Sequence, residues 1–179
     1  MMQIYFTDIK SVILNKLQSA HKEILVAVSW LTDRQIYDLL ISKINAGIKV
    51  SIITRNDYLN NHETALDWGG LINAGGELRF NKKSKMLHYK FAVIDRLEVM
   101  VTSYNWTCFA GRNNRENIIV MQDADAVKEY LDEFGYLSTQ FAKESAPTRI
   151  AAESINPKLK GFYELTIEDD AKNQSILKL

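Results

Sequence analysis

The order of strand-like and helix-like stretches constrains the fold of this chain more than any other feature. From Gln3 to Thr54, short apolar runs alternate with segments of helical period, and from Glu77 onward strands follow one another across turns. Gln3–Phe6 predicts a short strand, after which Thr7 or Asp8 caps a helix to about Ala20 with Ile9, Val12, Ile13 and Leu17 on one side. Glu23–Trp30 predicts a buried strand. Thr32 or Asp33 caps a second helix through Ile36, Leu39, Leu40 and Ile44, Gly47 ends it, and Lys49–Thr54 is the next strand. Asn56–Asn61 reads as a polar, mobile loop. Glu63–Ala74 reads as a helix, weakened at Gly69-Gly70 by about 1 kcal/mol per glycine. Gly75-Gly76 marks a turn into the strand Glu77–Phe80. A strand His88–Asp95, a turn Arg96–Glu98 and a strand Val99–Thr102 follow. Asn105–Arg115 is a polar connection, Glu116–Met121 a strand and Ala124–Phe141 a long helix. Val127, Tyr130, Leu131, Phe134, Leu137 and Phe141 give that helix one apolar face. Such an order belongs to the α/β class, as an α/β/α sandwich around a mixed β-sheet.

The texture changes after Ser145-Ala146-Pro147. Residues 1–145 therefore read as one domain and 146–179 as an extension. Within it Gly161–Ile167 adds a strand, packs on the domain, or binds a protein partner. With 46% hydrophobic and 25% charged residues, the chain has the composition of an ordinary globular protein. One cysteine, Cys108, excludes an internal disulfide framework, fits a reducing compartment, and reads as a small buried hydrophobe. The N-terminus lacks a basic and apolar leader, and the longest apolar run, Ile24 to Leu31 broken by Ser29, is too short to span a bilayer. A cytoplasmic protein without membrane insertion is expected.

The chemistry concentrates between His88 and Glu116. The run is His88-Tyr-Lys90, four residues, Asp95, seven residues, Ser103-Tyr-Asn105, ten residues, Glu116. It combines a nucleophile, a fixed cation, neutral hydrogen-bonding side chains and carboxylates, which suits attack on a phosphodiester. Strand alternation would put His88 and Lys90 on one face, within reach of one phosphate. Just upstream, Arg79 to Lys90 holds five Lys/Arg and no acid, counting Lys82, Lys83 and Lys85. That stretch is either a solvated loop or, beside such a motif, an approach for a polyanion. Charge is uneven overall: residues 1–120 carry 15 Lys/Arg against 11 Asp/Glu, and residues 121–179 carry 7 against 11. Trp30 and Trp106 either pack in the core or stack a nucleobase at the cleft. His21 and His62 read as surface residues. Three scattered histidines and one cysteine lack metal-ligand spacing, so neither a metal nor a cofactor is expected.

These residues resemble the phospholipase D superfamily, of the Nuc-like single-motif endonuclease type. The family signature is H-x-K-x4-D followed after six residues by G-S-x-N. His88, Lys90, Asp95, Ser103 and Asn105 match it, with Thr102 in place of the usual glycine, and Glu116 matches the acidic residue on the next strand. Lys22–Asp33 and Ala46-Gly47-Ile48-Lys49-Val50 also resemble the family, and the likeness covers roughly residues 3–142. It implies a phospholipase D-like fold and metal-independent phosphodiester hydrolysis. The implied chemistry needs two histidines on opposite sides of phosphorus, whereas this chain has one motif and no internal repeat. A homodimer sharing one active site is therefore expected. In it one His88 forms a phosphohistidine and the other acts as acid and then base. Lys90 and Asn105 hold the non-bridging oxygens, Ser103 adds a hydroxyl, Glu116 orients His88, and Asp95 has a structural role at a turn or subunit contact. Lys82, Lys83, Lys85 and Trp106 are the expected substrate contacts. DNA or RNA is the expected substrate. The alternatives are a lipid phosphodiesterase and a non-catalytic nucleic-acid-binding subunit of a larger assembly.

Overall fold

The strand β2 (Glu23–Val28) forms in the longest apolar run and takes the centre of the molecule. Ile24, Val26 and Val28 face one side of the sheet, Leu25 and Ala27 the other, and all five are buried. A strand covered on both faces needs a continuous apolar sequence rather than alternation. The computed structural model describes residues 1–81, 86–152, 155 and 157–176. Around β2 lie β1 (Met2–Tyr5), β3 (Lys49–Arg55), β4 (Glu77–Asn81), β5 (Lys90–Ile94), β6 (Glu98–Thr102) and β7 (Ile118–Met121). They form one sheet in the order β1-β7-β6-β5-β2-β3-β4. The pairs β2–β3 and β3–β4 are parallel and the remainder antiparallel, which makes the sheet mixed.

Helices cover both faces. On one, α1 (Ile9–Gln18), α2 (Arg34–Asn45) and α4 (Trp68–Asn73) bury Ile13, Leu17, Ile36, Leu40, Trp68 and Leu71. On the other, α6 (Ala124–Gln140) lays Val127, Phe134 and Leu137 over Leu25, Phe91, Val93 and Val99. Each such side chain contributes on the order of 1.5–3 kcal/mol by leaving water. Local signals set the helix ends. The buried Asp33 carboxylate accepts from the Gln35 and Ile36 amides at 3.0 and 3.2 Å, and Lys10 balances its charge at 2.6 Å. Gly47 ends α2 at φ 84°, a left-handed conformation that favours glycine. Asp8 precedes α1 but, at φ 54°, makes no side-chain cap.

Three connections differ from the sequence reading. Asn56–Asn61 is not a loose loop: α3 (Tyr58–Asn61) forms there, capped by Asp57 on the Asn60 amide at 3.2 Å. Asn60 is 1% exposed, and its Nδ2 donates to Ser29 O, Thr54 Oγ1 and Arg55 O at 2.9, 3.1 and 3.0 Å. Its Oδ1 accepts from the Leu31 amide at 3.1 Å. One amide thus ties together the frayed ends of β2 and β3. The helix expected from Glu63 shrinks to α4 because Asp67 caps Gly70 N at 2.9 Å, which starts the turn at Trp68. His62 is buried rather than on the surface. It lies against Tyr58 with ring centroids 5.8 Å apart, and burial, then Arg149, lowers its pKa to about 4.

Within the polar connection, Thr107 caps a short helix α5 (Cys108–Asn113). Among the described residues the extension adds no strand. Glu144 N bonds Leu78 O at 2.8 Å, Ile150 N bonds Asn61 O at 2.8 Å, and α7 (Lys160–Ile176) packs on α3 and α5. Its inward residues Tyr163, Thr166 and Asp170 recur at helical spacing, a period masked in sequence by the β-branched Thr166 and Ile167. Phe162 lies against Trp30 and Phe109, at centroid distances of 5.2 and 6.1 Å. Asp170 accepts from the Cys108 amide at 2.9 Å, and burial raises its pKa to about 6. Cys108 is buried, and its thiol donates to Asp33 at 3.3 Å.

Candidate active site

The motif residues gather at one edge of the sheet because strand direction brings them there. β2, β3 and β6 end at this edge, and β5 and β7 begin at it. Ends of parallel strands are where α/β sheets place ligands. β5 begins at Lys90, so His88 stands two residues ahead of the strand rather than inside it. Pairing nevertheless continues past the strand end, since Ser29 N donates to Tyr89 O at 2.9 Å and Ser29 Oγ to Leu87 O at 3.0 Å. His88 is exposed at this rim. Lys90 is 7% exposed, and its Nζ donates to His88 O at 3.0 Å and lies 3.4 Å from Ser29 Oγ.

Burial lowers the His88 pKa below the ordinary histidine value, and the Lys90 and Arg55 cations lower it further. At neutral pH the ring is uncharged and carries a free lone pair, as a nucleophile requires. Lys90 is also lowered by burial, an effect that Glu116 opposes and Arg55 reinforces. Ser103 donates from Oγ to Glu116 Oε2 and accepts from Asn117 N at 3.0 Å, while Asn114 Nδ2 holds Glu116 Oε1 at 3.0 Å. Within the chain Glu116 therefore engages Ser103. No hydrogen bond joins it to His88 among the described residues, because Ser103 at the end of β6 stands directly across from the start of β7.

Thr102 replaces glycine without strain. Its φ is not positive, and its Oγ1 donates to Asn117 O at 2.7 Å and accepts from Tyr104 N at 2.8 Å. Beyond it the chain crosses the end of β2, where Trp106 N donates to Trp30 O at 3.0 Å. That crossing positions Asn105, whose Oδ1 is buried without a hydrogen-bond partner among the described residues. An unpaired buried amide costs about 1–3 kcal/mol and marks a group awaiting a partner.

Two expected residues sit elsewhere. Asp95 occupies the opposite end of β5, about 3.3 Å of strand rise per residue away from the rim. Asp95 and Arg96 both adopt positive φ, 53° and 59°, in the tight turn from β5 to β6, so Glu98 already belongs to β6. The Asp95 carboxylate accepts from the amides of His21, Lys22 and Glu23 at 2.9, 2.7 and 2.9 Å. Burial alone would raise its pKa, but these three donors hold it below the usual carboxylate value. Trp106 is 1% exposed and belongs to the core, so it offers no stacking face; the chain crossing turns its ring inward. Lys82, Lys83 and Lys85 lie outside the described residues.

Arg55, at the end of β3, is a site residue the sequence reading missed. Its Nε pairs with Asp57 at 3.2 Å, its guanidinium lies 5.3 Å from the Trp30 ring centroid, and Nη1 approaches Met86 Sδ at 3.1 Å. The available signal was its position at the C-terminal end of a parallel strand. Beside His88, a mostly apolar groove of about 300 Å³ is lined by Met86, Leu87, Tyr89, Tyr136 and Leu137 among others. Among the described residues no group of three or more His, Cys, Asp or Glu is placed to hold a metal ion, and no helix is long and apolar enough to cross a membrane.

An imidazole beside the Lys90 and Arg55 cations suits the binding of a phosphate in its chemistry. Comparison with known proteins places the chain in a family. Residues 13–138 match the family model described as cardiolipin synthase, PLD-like domain. The mitochondrial cardiolipin hydrolase of Canis lupus familiaris is 31% identical over 122 residues, covering 66% of this chain and 47% of that protein. The mitochondrial cardiolipin hydrolase of Xenopus tropicalis is 39% identical over 95 residues, covering 53% of this chain and 44% of that protein. The chain thus spans about half the length of these curated relatives. Nuc, a phospholipase D family member from Salmonella typhimurium, shares the fold with a TM-score of 0.70 at 20% identity, covering 82% of this chain and 99% of that one. The chain belongs to the phospholipase D superfamily.

Proposed function

We propose that the chain is a metal-independent phosphodiesterase, acting on nucleic acid as a homodimer that shares one active site. The observation that carries this reading is the exposed His88 at the rim of the sheet, two residues before the buried Lys90 whose Nζ bonds its carbonyl, and two residues after Met86, where the Arg55 guanidinium edge lies. In the proposed reaction one His88 attacks phosphorus, forming an N–P bond as the P–O bond to the leaving alkoxide breaks. The acid is His88 of a second copy, which takes up a proton as the phosphodiester anion binds and gives it to that alkoxide. The same ring then takes a proton from water, which attacks the phosphohistidine and regenerates the first histidine. Lys90 and Asn105 stabilise the charge on the non-bridging oxygens as it develops. The Ser103–Glu116 pair supports the wall of the pocket from behind. One His88 per chain is what calls for the second copy, and a two-fold axis would face the two rings across the phosphate.

A lipid phosphodiester is the second reading. The apolar groove beside His88 favours it, as do the names of the curated relatives. One assay separates the two. Purified protein in excess chelator is offered single-stranded DNA, duplex DNA, RNA, and vesicles of phosphatidylcholine or cardiolipin. Cleavage of a nucleic acid supports the first reading, and cleavage confined to vesicles supports the second. Activity that vanishes with chelator and returns with Mg²⁺ overturns the covalent-histidine chemistry common to both.

A further inference from the structure

We propose that Arg55 is a phosphate-binding residue of this site, a second cation presented with Lys90 beside His88 by a bracket of Asp57 and Trp30. The inference rests on the phosphodiester reading above and adds to it a residue outside the sequence motif.

The bracket fixes the guanidinium from two directions. Asp57 Oδ2 receives Trp30 Nε1 at 2.7 Å and Arg55 Nε at 3.2 Å, while Oδ1 receives Asn60 N at 3.2 Å. The Trp30 ring closes one face of the guanidinium at 5.3 Å. Helix α7 backs the arrangement, with Phe162 on Trp30 and the Tyr163 hydroxyl bonded to Asp57. The Asp57 carboxylate is therefore spread over four donors and meets Arg55 only along its Nε edge. The Nη edge points to Met86, two residues before His88, where a thioether is a weak acceptor.

A structural role alone leaves this geometry unexplained. An arginine kept merely to pair with Asp57 would turn its Nη edge to that carboxylate as well, yet only Nε meets it and Nη1 lies against Met86 Sδ. Its side chain is 18% exposed, so the open edge reaches the rim without being free to wander. A planar fork held in this way suits the paired oxygens of a phosphate, and lysine lacks that fork.

The test uses the full chain with Arg55→Gln and Arg55→Lys, which keep length and, for lysine, charge. Two readings need no turnover: the His88 pKa by NMR titration of the imidazole, and the affinity for inorganic phosphate followed at the same resonances. For R55Q the His88 pKa is expected to rise toward the ordinary histidine value and phosphate binding to weaken about tenfold or more. R55K is expected to keep most of the His88 shift while losing phosphate affinity. On a cleaved phosphodiester, kcat/KM of R55Q is expected to fall about 10²-fold, and the acid limb of its pH profile to move to higher pH. A wild-type chain that binds no inorganic phosphate near His88 overturns the proposal. So does an R55Q chain that matches wild type in both His88 pKa and phosphate affinity. Should R55Q fail to fold, R55K with wild-type phosphate affinity has the same force. A wild-type chain that binds phosphate through Arg55 but cleaves no phosphodiester would sink the enzymatic reading and leave Arg55 standing.

Discussion

The two ends of the motif strand carry ionisable groups with opposite circumstances. At one end Asp95 accepts three backbone amides and sits in the three-residue turn Asp95–Leu97. At the other, His88 has no side-chain hydrogen bond among the described residues, Lys90 is spent on a backbone carbonyl and a serine hydroxyl, and the Asn105 oxygen is unpaired. A sequence motif reports both ends with equal force, but the hydrogen bonds separate them. The satisfied end holds the hairpin to the start of β2, and the unsatisfied end is open to a ligand. Polar groups left incomplete in an otherwise well-packed sheet mark where function has displaced stability.

Substitutions can break that contrast. At the open end, His88→Ala and Lys90→Ala are each expected to lower turnover by about 10⁴-fold or more. Tm is expected to stay unchanged for the exposed His88, and to fall modestly for Lys90, which is buried and bonds His88 O. A folded His88→Ala protein with near-normal turnover would erase the distinction. Glu116→Gln is expected to cost about 10–100-fold in kcat, because Glu116 acts through Ser103 rather than on the substrate. If Ser103→Ala and Glu116→Gln combine to no more than either alone, steady-state kinetics will have confirmed that they work as a unit.

At the closed end the expected effect is on stability. Asp95→Ala strands three backbone donors at a positive-φ turn and is expected to cost about 2–3 kcal/mol in chemical denaturation, with kcat per folded molecule unchanged. The folded pKa of Asp95 is depressed, so its contribution is complete above the unfolded value of about 3.9 and is lost as pH falls through the folded value. Wild-type stability should therefore drop in that acidic window more steeply than that of Asp95→Asn. Parallel curves for the two would show that the carboxylate charge does not matter there. Asp170 provides the opposite sign and the smallest effect. Its folded pKa is raised to about 6, so its contribution is present below about pH 4 and is lost as pH rises toward 6. Asp170→Asn should flatten that loss, read as Tm against pH.

Much of this contrast was legible in the sequence. His88, Lys90, Ser103, Asn105 and Glu116 come to one edge of the sheet because their spacing is local to adjacent strand ends and a crossing, although His88 stands ahead of β5 rather than within it as alternation implied. The sheet elements were legible for the same reason. Arg55 and Asn60 were not, since their roles exist only where the ends of β2 and β3 meet α3, and no spacing within one segment encodes that meeting. Trp106 illustrates the reverse failure. Adjacency to Asn105 suggested a shared surface, but the crossing over β2 turns neighbouring side chains in different directions. In the extension, β-branched Thr166 and Ile167 suggested a strand, and the inward period of Tyr163, Thr166 and Asp170 became decisive only once α3 and α5 supplied a face to pack against.

The account depends most on His88 forming a covalent bond to phosphorus. The direct measurement is a rapid acid-free quench of wild-type protein turning over a ³²P-labelled phosphodiester in excess chelator, followed by mapping of the labelled peptide. The account predicts label on His88, stable to base and released by acid, and none on the His88→Ala protein. Turnover that proceeds at full rate while His88 carries no label at any time would contradict it.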